Sequence, residues 1–216
     1  MRSISLLPES GPSRILALGA HADDIEIGCG GTILRLVAER PGIEVVWVVF
    51  AATPEREREA RASAEAFLAG AARARVIVKQ FRDGFLPYVG AAVKEEFEAL
   101  KHEFEPDVVL THCGQDRHQD HRLVSELSWN TFRHHLILEY EIPKYDGDLG
   151  APNFFSALPE PALARKVELI LKHFQSQANK HWLTADLLRA LARIRGVECV
   201  AESGFAEGFY CRKAAF

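Results

Sequence analysis

The sequence predicts an α/β fold: one Rossmann-like, three-layer sandwich built on a mostly parallel sheet. Three observations carry that expectation. Apolar, β-branched runs alternate with amphipathic helical patterns along the chain. The run EVVWVVFAA (44–52) is apolar throughout, as strands covered on both faces tend to be. No repeat, low-complexity tract or linker interrupts the alternation, so residues 1–216 read as one domain.

In chain order, RILALGA (14–20) is a short buried strand, and a glycine turn leads into a helix from about Gly30 to Arg40. After the 44–52 strand, PEREREARASAEAFLAG (54–70) is helical, with Pro54 near its start and Gly70 beyond its end. RVIVKQF (75–81) is a third strand and DGFLPY a loop. Residues 90–106 form an amphipathic helix, with Val93, Phe97, Leu100 and Phe104 on one face. DVVLTHC (107–113) is a fourth strand, 121–134 a helix, and LILEYEIP (136–143) a fifth strand. Pro152 and Pro159 bracket a surface loop. The tail from about Leu158 reads as mainly helical and closes with GFAEGFYCRK.

Composition narrows the function classes. Apolar residues make up 48% and charged residues 26%, the mix of a globular chain. A net charge of -4 argues against a nucleic-acid binder that works through a broad basic surface. No apolar run approaches the roughly 20 residues of a membrane span, and MRSISLLPESGPSR lacks a signal-peptide core. Cys29, Cys113, Cys199 and Cys211 form no CxxC pair. A cytoplasmic protein with free thiols is the expectation.

Two polar clusters fall at the carboxyl ends of strands, where open parallel sheets bind ligands. AHADDIEIGCGGT (20–32) sets His21, Asp23 and Asp24 side by side, with Glu26 just beyond. Adjacent carboxylates repel unless a positive group relieves them. HCGQDRHQDHR (112–122) brings His112, Asp116, His118, Asp120 and His121. Two His- and Asp-rich loops suggest one composite site. Zinc suits these donors: a catalytic zinc has three protein ligands and an open position. One His and one Asp from the first cluster and one His from the second would supply them. His21 and Asp24 can converge on an ion, leaving Asp23 to act as base on a water.

Duller readings stand beside these. Gly28, Gly30 and Gly31 can form a phosphate-binding turn, but GCGGT lacks the GxGxxG spacing and no P-loop lysine follows. Close approach of loop and helix explains them better. A nucleotide-binding module without enzymatic activity remains the alternative class. Glu26 reads as a support behind the ligands, His112 as a satisfied core histidine, and Asp116 as a brace for its loop. Cys29 and Cys113 read as buried apolar groups, Arg56 and Arg58 as a solvated face, and His134 and His135 as surface residues flanking a strand. Tyr145, Asp146, Asp148 and Asn153 are candidates for sugar contacts.

The first cluster resembles the HPDD-x-E-x-G-x-G-G-T signature of the PIG-L/LmbE family of zinc-dependent N-deacetylases, and HQDH (118–121) resembles its H-x-D-H signature. DGFLP, PDVVLTHCGQD and the closing GFAEGFYCRK are similar to family stretches in the same order. The resemblance implies zinc ligation by His21, Asp24 and His121, with Fe2+ or Co2+ as alternatives. It makes Asp23 the general base, His118 the oxyanion-stabilising or proton-donating histidine, and Asp120 the carboxylate that orients a histidine. It implies hydrolysis of an N-acetyl amide on an N-acetylglucosamine-like sugar or glycoconjugate. An amidohydrolase cleaving another amide, such as a thiol–sugar conjugate, is the second expectation. Members of such families often assemble, which leaves a homo-oligomer open. One departure is Ala22, where the family usually has proline; it bears on the stiffness of the loop and leaves the ligands unchanged.

Overall fold

Alternation along the strands decides which layer each residue joins. In β1 (Arg14–Gly19) and β2 (Glu44–Ala51), Ile15, Ala17, Val45, Trp47 and Val49 enter one core. Leu16, Leu18, Val46, Val48 and Phe50 enter the core on the opposite face. Both sets are buried, which is why these runs lack polar alternation. The computed structural model describes residues 13–215. The stretch 1–12, where the sequence shows no signal-peptide core, lies outside the described residues.

Helices α1 (Asp24–Glu39), α2 (Pro54–Phe67), α5 (Glu160–His173) and α6 (Ala185–Glu198) cover the first face. Helices α3 (Gly90–Glu103) and α4 (Gln119–Thr131) cover the second. Between them lies a seven-stranded sheet of order β3-β2-β1-β4-β5-β7-β6. Its other strands are β3 (Arg73–Phe81), β4 (Val108–His112), β5 (Leu136–Tyr140), β6 (Phe154–Ala157) and β7 (Ala206–Cys211). Strands β1 to β5 pair in parallel, whereas β7 runs antiparallel to both of its neighbours. The α/β sandwich around a mostly parallel sheet is therefore present as the sequence predicts.

The details differ in several places, and the stretch bracketed by Pro152 and Pro159 holds β6 where the sequence suggests a surface loop. The sheet has two strands more than the sequence suggests, because β6 is only four residues long and β7 carries Glu207 and Gly208 inside AEGFYC. Helix α1 begins at Asp24, not near Gly30, so the glycines lie within it. Helix α4 starts at Gln119, two residues earlier than the sequence pattern. Strand β5 ends at Tyr140, and 141–153 run as a loop.

Strand β7 matters beyond its place in the sheet. The buried Glu207 carboxylate accepts the Gly31 N–H at 2.8 Å and the Thr32 N–H at 2.7 Å, both in the middle of α1. Lys166 of α5 donates to Glu207 at 2.6 Å and to the Ile27 carbonyl at 2.6 Å. A close approach by α1 requires Gly28, because a Cβ there would sit 2.1 Å from the Tyr140 ring. The glycines thus serve helix–sheet packing rather than a phosphate cradle.

Candidate active site

The sheet order reverses between β1 and β4, which run side by side with Ile15 opposite Val108. Their carboxyl ends form the crevice at this switch point. The first cluster leaves β1 there, and the second leaves β4.

Asp23 occupies the N-cap of α1, a position where aspartate normally bonds the helix amides. Here its side chain makes no capping hydrogen bond. It pairs instead with Arg56, whose guanidinium lies 3.0 Å from Oδ2. Asp24 begins the helix, and its Oδ2 accepts the His21 N–H at 2.6 Å, closing the turn. Placing a carboxylate at the positive end of α1 is favourable in itself.

On the other side, His112 ends β4 fully buried, its Nε2 accepting the Ala20 N–H at 2.9 Å. Its ring stacks on His121 at 3.9 Å between centroids. It is a core histidine but not the satisfied one the sequence suggests: Nδ1 has no hydrogen-bond partner, and Nε2 also lies 3.2 Å from Asp24 Oδ2. His118 is the N-cap of α4, where its Nδ1 accepts the Asp120 N–H at 3.3 Å. That bond fixes the neutral tautomer with its proton on Nε2. Asp120 is fully buried and accepts the Gly84 N–H on Oδ2 at 2.7 Å and the Leu86 N–H on Oδ1 at 3.1 Å. The same Oδ2 faces His21 Nε2 at 3.1 Å. Asp120 thus touches the His21 ring and ties the DGFLP loop to the first cluster.

Three donors converge. His21 Nδ1 lies 3.2 Å from His121 Nε2 and 3.4 Å from Asp24 Oδ2, and His121 Nε2 is 3.5 Å from Asp24 Oδ1. A tetrahedral zinc with bonds near 2.1 Å needs ligand atoms about 3.4 Å apart. The two imidazoles lie at about that spacing from each other, and each meets a different oxygen of the Asp24 carboxylate at 3.4–3.5 Å. Behind them, His121 Nδ1 pairs with Asp116 Oδ2 at 2.9 Å, and Lys144 holds the same oxygen at 2.9 Å. A carboxylate behind a histidine is the usual support for a metal ligand. Asp116 also braces its loop, as the sequence suggests, by accepting the His118 N–H at 2.7 Å. Further donor sets close enough to hold an ion are His21–His118–His121, Asp24–His112–His121 and His21–Asp83–Asp120.

The charges around each group set its acidity, and they leave His121 and Asp24 in the forms that donate a lone pair to a cation. Burial works against charge on His21, but Asp24, Asp120 and Asp83 outweigh it and hold the imidazole well above its usual value. Burial and the neighbouring His112 push His121 down to about 4, so it is neutral and ready to donate a lone pair. Burial would raise Asp24, yet the facing rings of His121, His112 and His21 keep it well below the ordinary carboxylate range. Asp23 goes the other way: burial raises it despite Arg56. Two adjacent aspartates are thus driven apart in acidity by their surroundings.

Some residues behave differently from their sequence reading. Arg56 is not part of a solvated face: its side chain is 15% exposed and bonds Asp23 and Glu59. Arg58 is exposed as expected. Asn153 is committed to β7, exchanging two bonds with the Cys211 backbone. Asp148 accepts from Arg117 N–H and Lys144 and so braces the loop. Glu26 is fully buried, and burial pushes its carboxyl up to about 8. Cys29 and Cys113 are buried free thiols that join none of the donor sets among the described residues. His134 is exposed and His135 half-buried beside β5. Asp83, 3.1 Å from His21 Nε2, and Lys144 belong to the site without standing among the sequence candidates. Asp83 sits in the DGFLP stretch, whereas nothing in IPKYDG marks Lys144.

Known proteins share this architecture. The model of the PIG-L family, described as GlcNAc-PI de-N-acetylase, matches residues 16–132, just over half of the chain. Among solved structures, the conserved protein TT1542 from Thermus thermophilus is similar with a TM-score of 0.75 at 23% identity, over 94% of this chain and 95% of that one. N,N'-diacetylchitobiose deacetylase from Pyrococcus horikoshii has a TM-score of 0.69 at 22% identity, over 91% and 82%. GalB, the 4-carboxy-2-hydroxymuconate hydratase from Pseudomonas putida, has a TM-score of 0.75 at 18% identity, over 94% and 98%. No curated protein matches the chain. At these identities the structures speak for the fold, and the hydratase among them shows that the fold carries more than one chemistry.

Proposed function

The chain belongs to the PIG-L family, and from that premise we propose that it is a divalent-metal-dependent N-deacetylase acting on an N-acetylated amino sugar or glycoconjugate. The observation that carries the proposal is the convergence of His21 Nδ1, His121 Nε2 and the Asp24 carboxylate at 3.2–3.5 Å, with Asp23 beside them paired to Arg56 instead of joining them. His21, Asp24 and His121 would hold the ion, zinc by preference, with Fe2+ or Co2+ accepted by the same donors. Bound there, it supplies Lewis acidity and brings the pKa of water toward about 7.

The chain's own groups do the rest. Asp23 takes the proton of the attacking water on Oδ1 while Arg56 keeps Oδ2 in place. His118 Nε2–H donates to the carbonyl oxygen as it gains charge. The Asp120 N–H on Nδ1 holds that ring in its neutral form, so the donor is a neutral imidazole and not the imidazolium that oxyanion stabilisation first suggests. When the C–N bond breaks, Asp23 passes its proton to the departing amine, and acetate and a free amino sugar leave. Asp120 and Asp116 orient His21 and His121.

The test measures metal content and acetate release together. Wild type should carry about one zinc per chain and release acetate from at least one member of a panel of N-acetyl sugars; His121→Ala should lose both. Zinc without acetate across the panel, with cleavage of a longer acyl conjugate, would favour the alternative amide substrate. A wild type that binds no divalent metal would overturn the reading.

A further inference from the structure

Beside the site stands an aromatic group that the deacetylation chemistry does not use. Tyr145, in the loop after β5, is 63% exposed. Its ring lies 5.1 Å from that of His181 at 60°, and 6.4 Å from that of Trp182 at 82°. Trp182 packs against the core and gives the group a fixed backing. Two connections anchor it to the site. Lys144, the preceding residue, bonds the Asp116 that holds His121. The segment carrying His181 and Trp182 is tied at Ser176 to Arg56, the partner of Asp23.

From this arrangement we infer that Tyr145, backed by Trp182, is a subsite for a second pyranose ring glycosidically linked to the N-acetylated sugar. A pyranose offers a flat patch of C–H bonds with hydroxyls around its rim. The electron-rich face of an aromatic ring complements that patch. The surroundings favour a sugar over a lipid tail, because His181 meets the ring and the Lys144–Asp146 ion pair flanks Tyr145 in the chain, where an acyl chain needs apolar walls. The other exposed aromatic pair, Phe85 and Tyr88, is a poorer platform, since the Arg82 guanidinium covers Phe85 at 3.6 Å. All three residues of the subsite lie beyond 132, outside the part that matches the family model.

The inference rests on the amino-sugar reading of the site, and the experiment separates the two. N-acetylglucosamine and N,N'-diacetylchitobiose are titrated into full-length Asp23→Asn protein, which blocks turnover, while tryptophan fluorescence is followed. The disaccharide should bind about three- to tenfold more tightly. Tyr145→Ala should abolish that preference and Tyr145→Phe retain it. In the active enzyme, Tyr145→Ala should raise KM for the disaccharide by the same factor, leaving kcat and the monosaccharide values unchanged. Equal binding of the two sugars, or an equal loss for both in Tyr145→Ala, overturns the subsite. A disaccharide preference that depends on Tyr145, without acetate release from these two or any other member of the N-acetyl sugar panel, keeps the subsite and removes the deacetylase reading. Absence of binding by either sugar removes both.

Discussion

Asp23 and Asp24 are chemically identical neighbours with opposite surroundings. Asp24 faces three imidazoles, while Asp23 faces one guanidinium and a buried wall. Removing the carboxylate of Asp23 should leave metal content unchanged and cut turnover by roughly 100- to 10,000-fold, the usual contribution of a positioned acid–base group. Parallel metal analysis and acetate assays of Asp23→Ala check this; equal loss of both would give Asp23 a ligand's role. Arg56→Ala should also retain metal while lowering kcat, since it frees Asp23 Oδ2. The motif residues are legible in the sequence because both clusters are compact and end strands. Arg56 is not: its spacing on α2 is that of a solvated helix, and only the fold shows Asp23 opposite it. Lys144 is hidden for the same reason, as a single lysine in a loop carries no periodicity.

At the scale of elements, the GCGG run in α1 exchanges side chains for proximity. Gly28→Ala places a Cβ 2.1 Å from the Tyr140 ring, so either α1 or β5 must move. Overpacking of this kind costs about 1–3 kcal/mol, and a lower urea midpoint with an unchanged m-value would register it. Glu207→Gln should cost more, roughly 3–5 kcal/mol, because it leaves Lys166 charged and buried without its partner; the same unfolding measurement checks it. Sequence pattern finds β1 to β5 because each holds at least three consecutive apolar residues, although β3 also carries Arg73, Arg75, Lys79 and Gln80. It misses β6 and β7 because β6 is an edge strand of only four residues and β7 sets Glu207 beside Gly208, a residue depleted in strands, near its start. The start of α1 is misplaced because glycines, which usually mark turns, here lie inside a helix.

Across the whole molecule, one topological fact joins the two motifs: β1 and β4 are neighbours although about 90 residues separate them. The sequence places each cluster at a strand end, and the strand order then sets them face to face. No helix among the described residues is long and apolar enough to cross a membrane. A metal bound by the folded chain alone should stabilise it by mass action, about 2.7 kcal/mol at a hundredfold excess over its Kd. Chelation should therefore lower both Tm and activity, and zinc should restore them; a Tm unmoved by either would argue against an ion at His21, Asp24 and His121. The bond from Glu207 to Gly31 spans 176 positions of sequence. On a ribosome, α1 emerges early but its middle amides wait for the last described strand, roughly 10–35 s later at ordinary elongation speeds. Until then the segment that presents Asp23 and Asp24 lacks its clasp, so a nascent chain stalled before residue 207 should hold metal weakly.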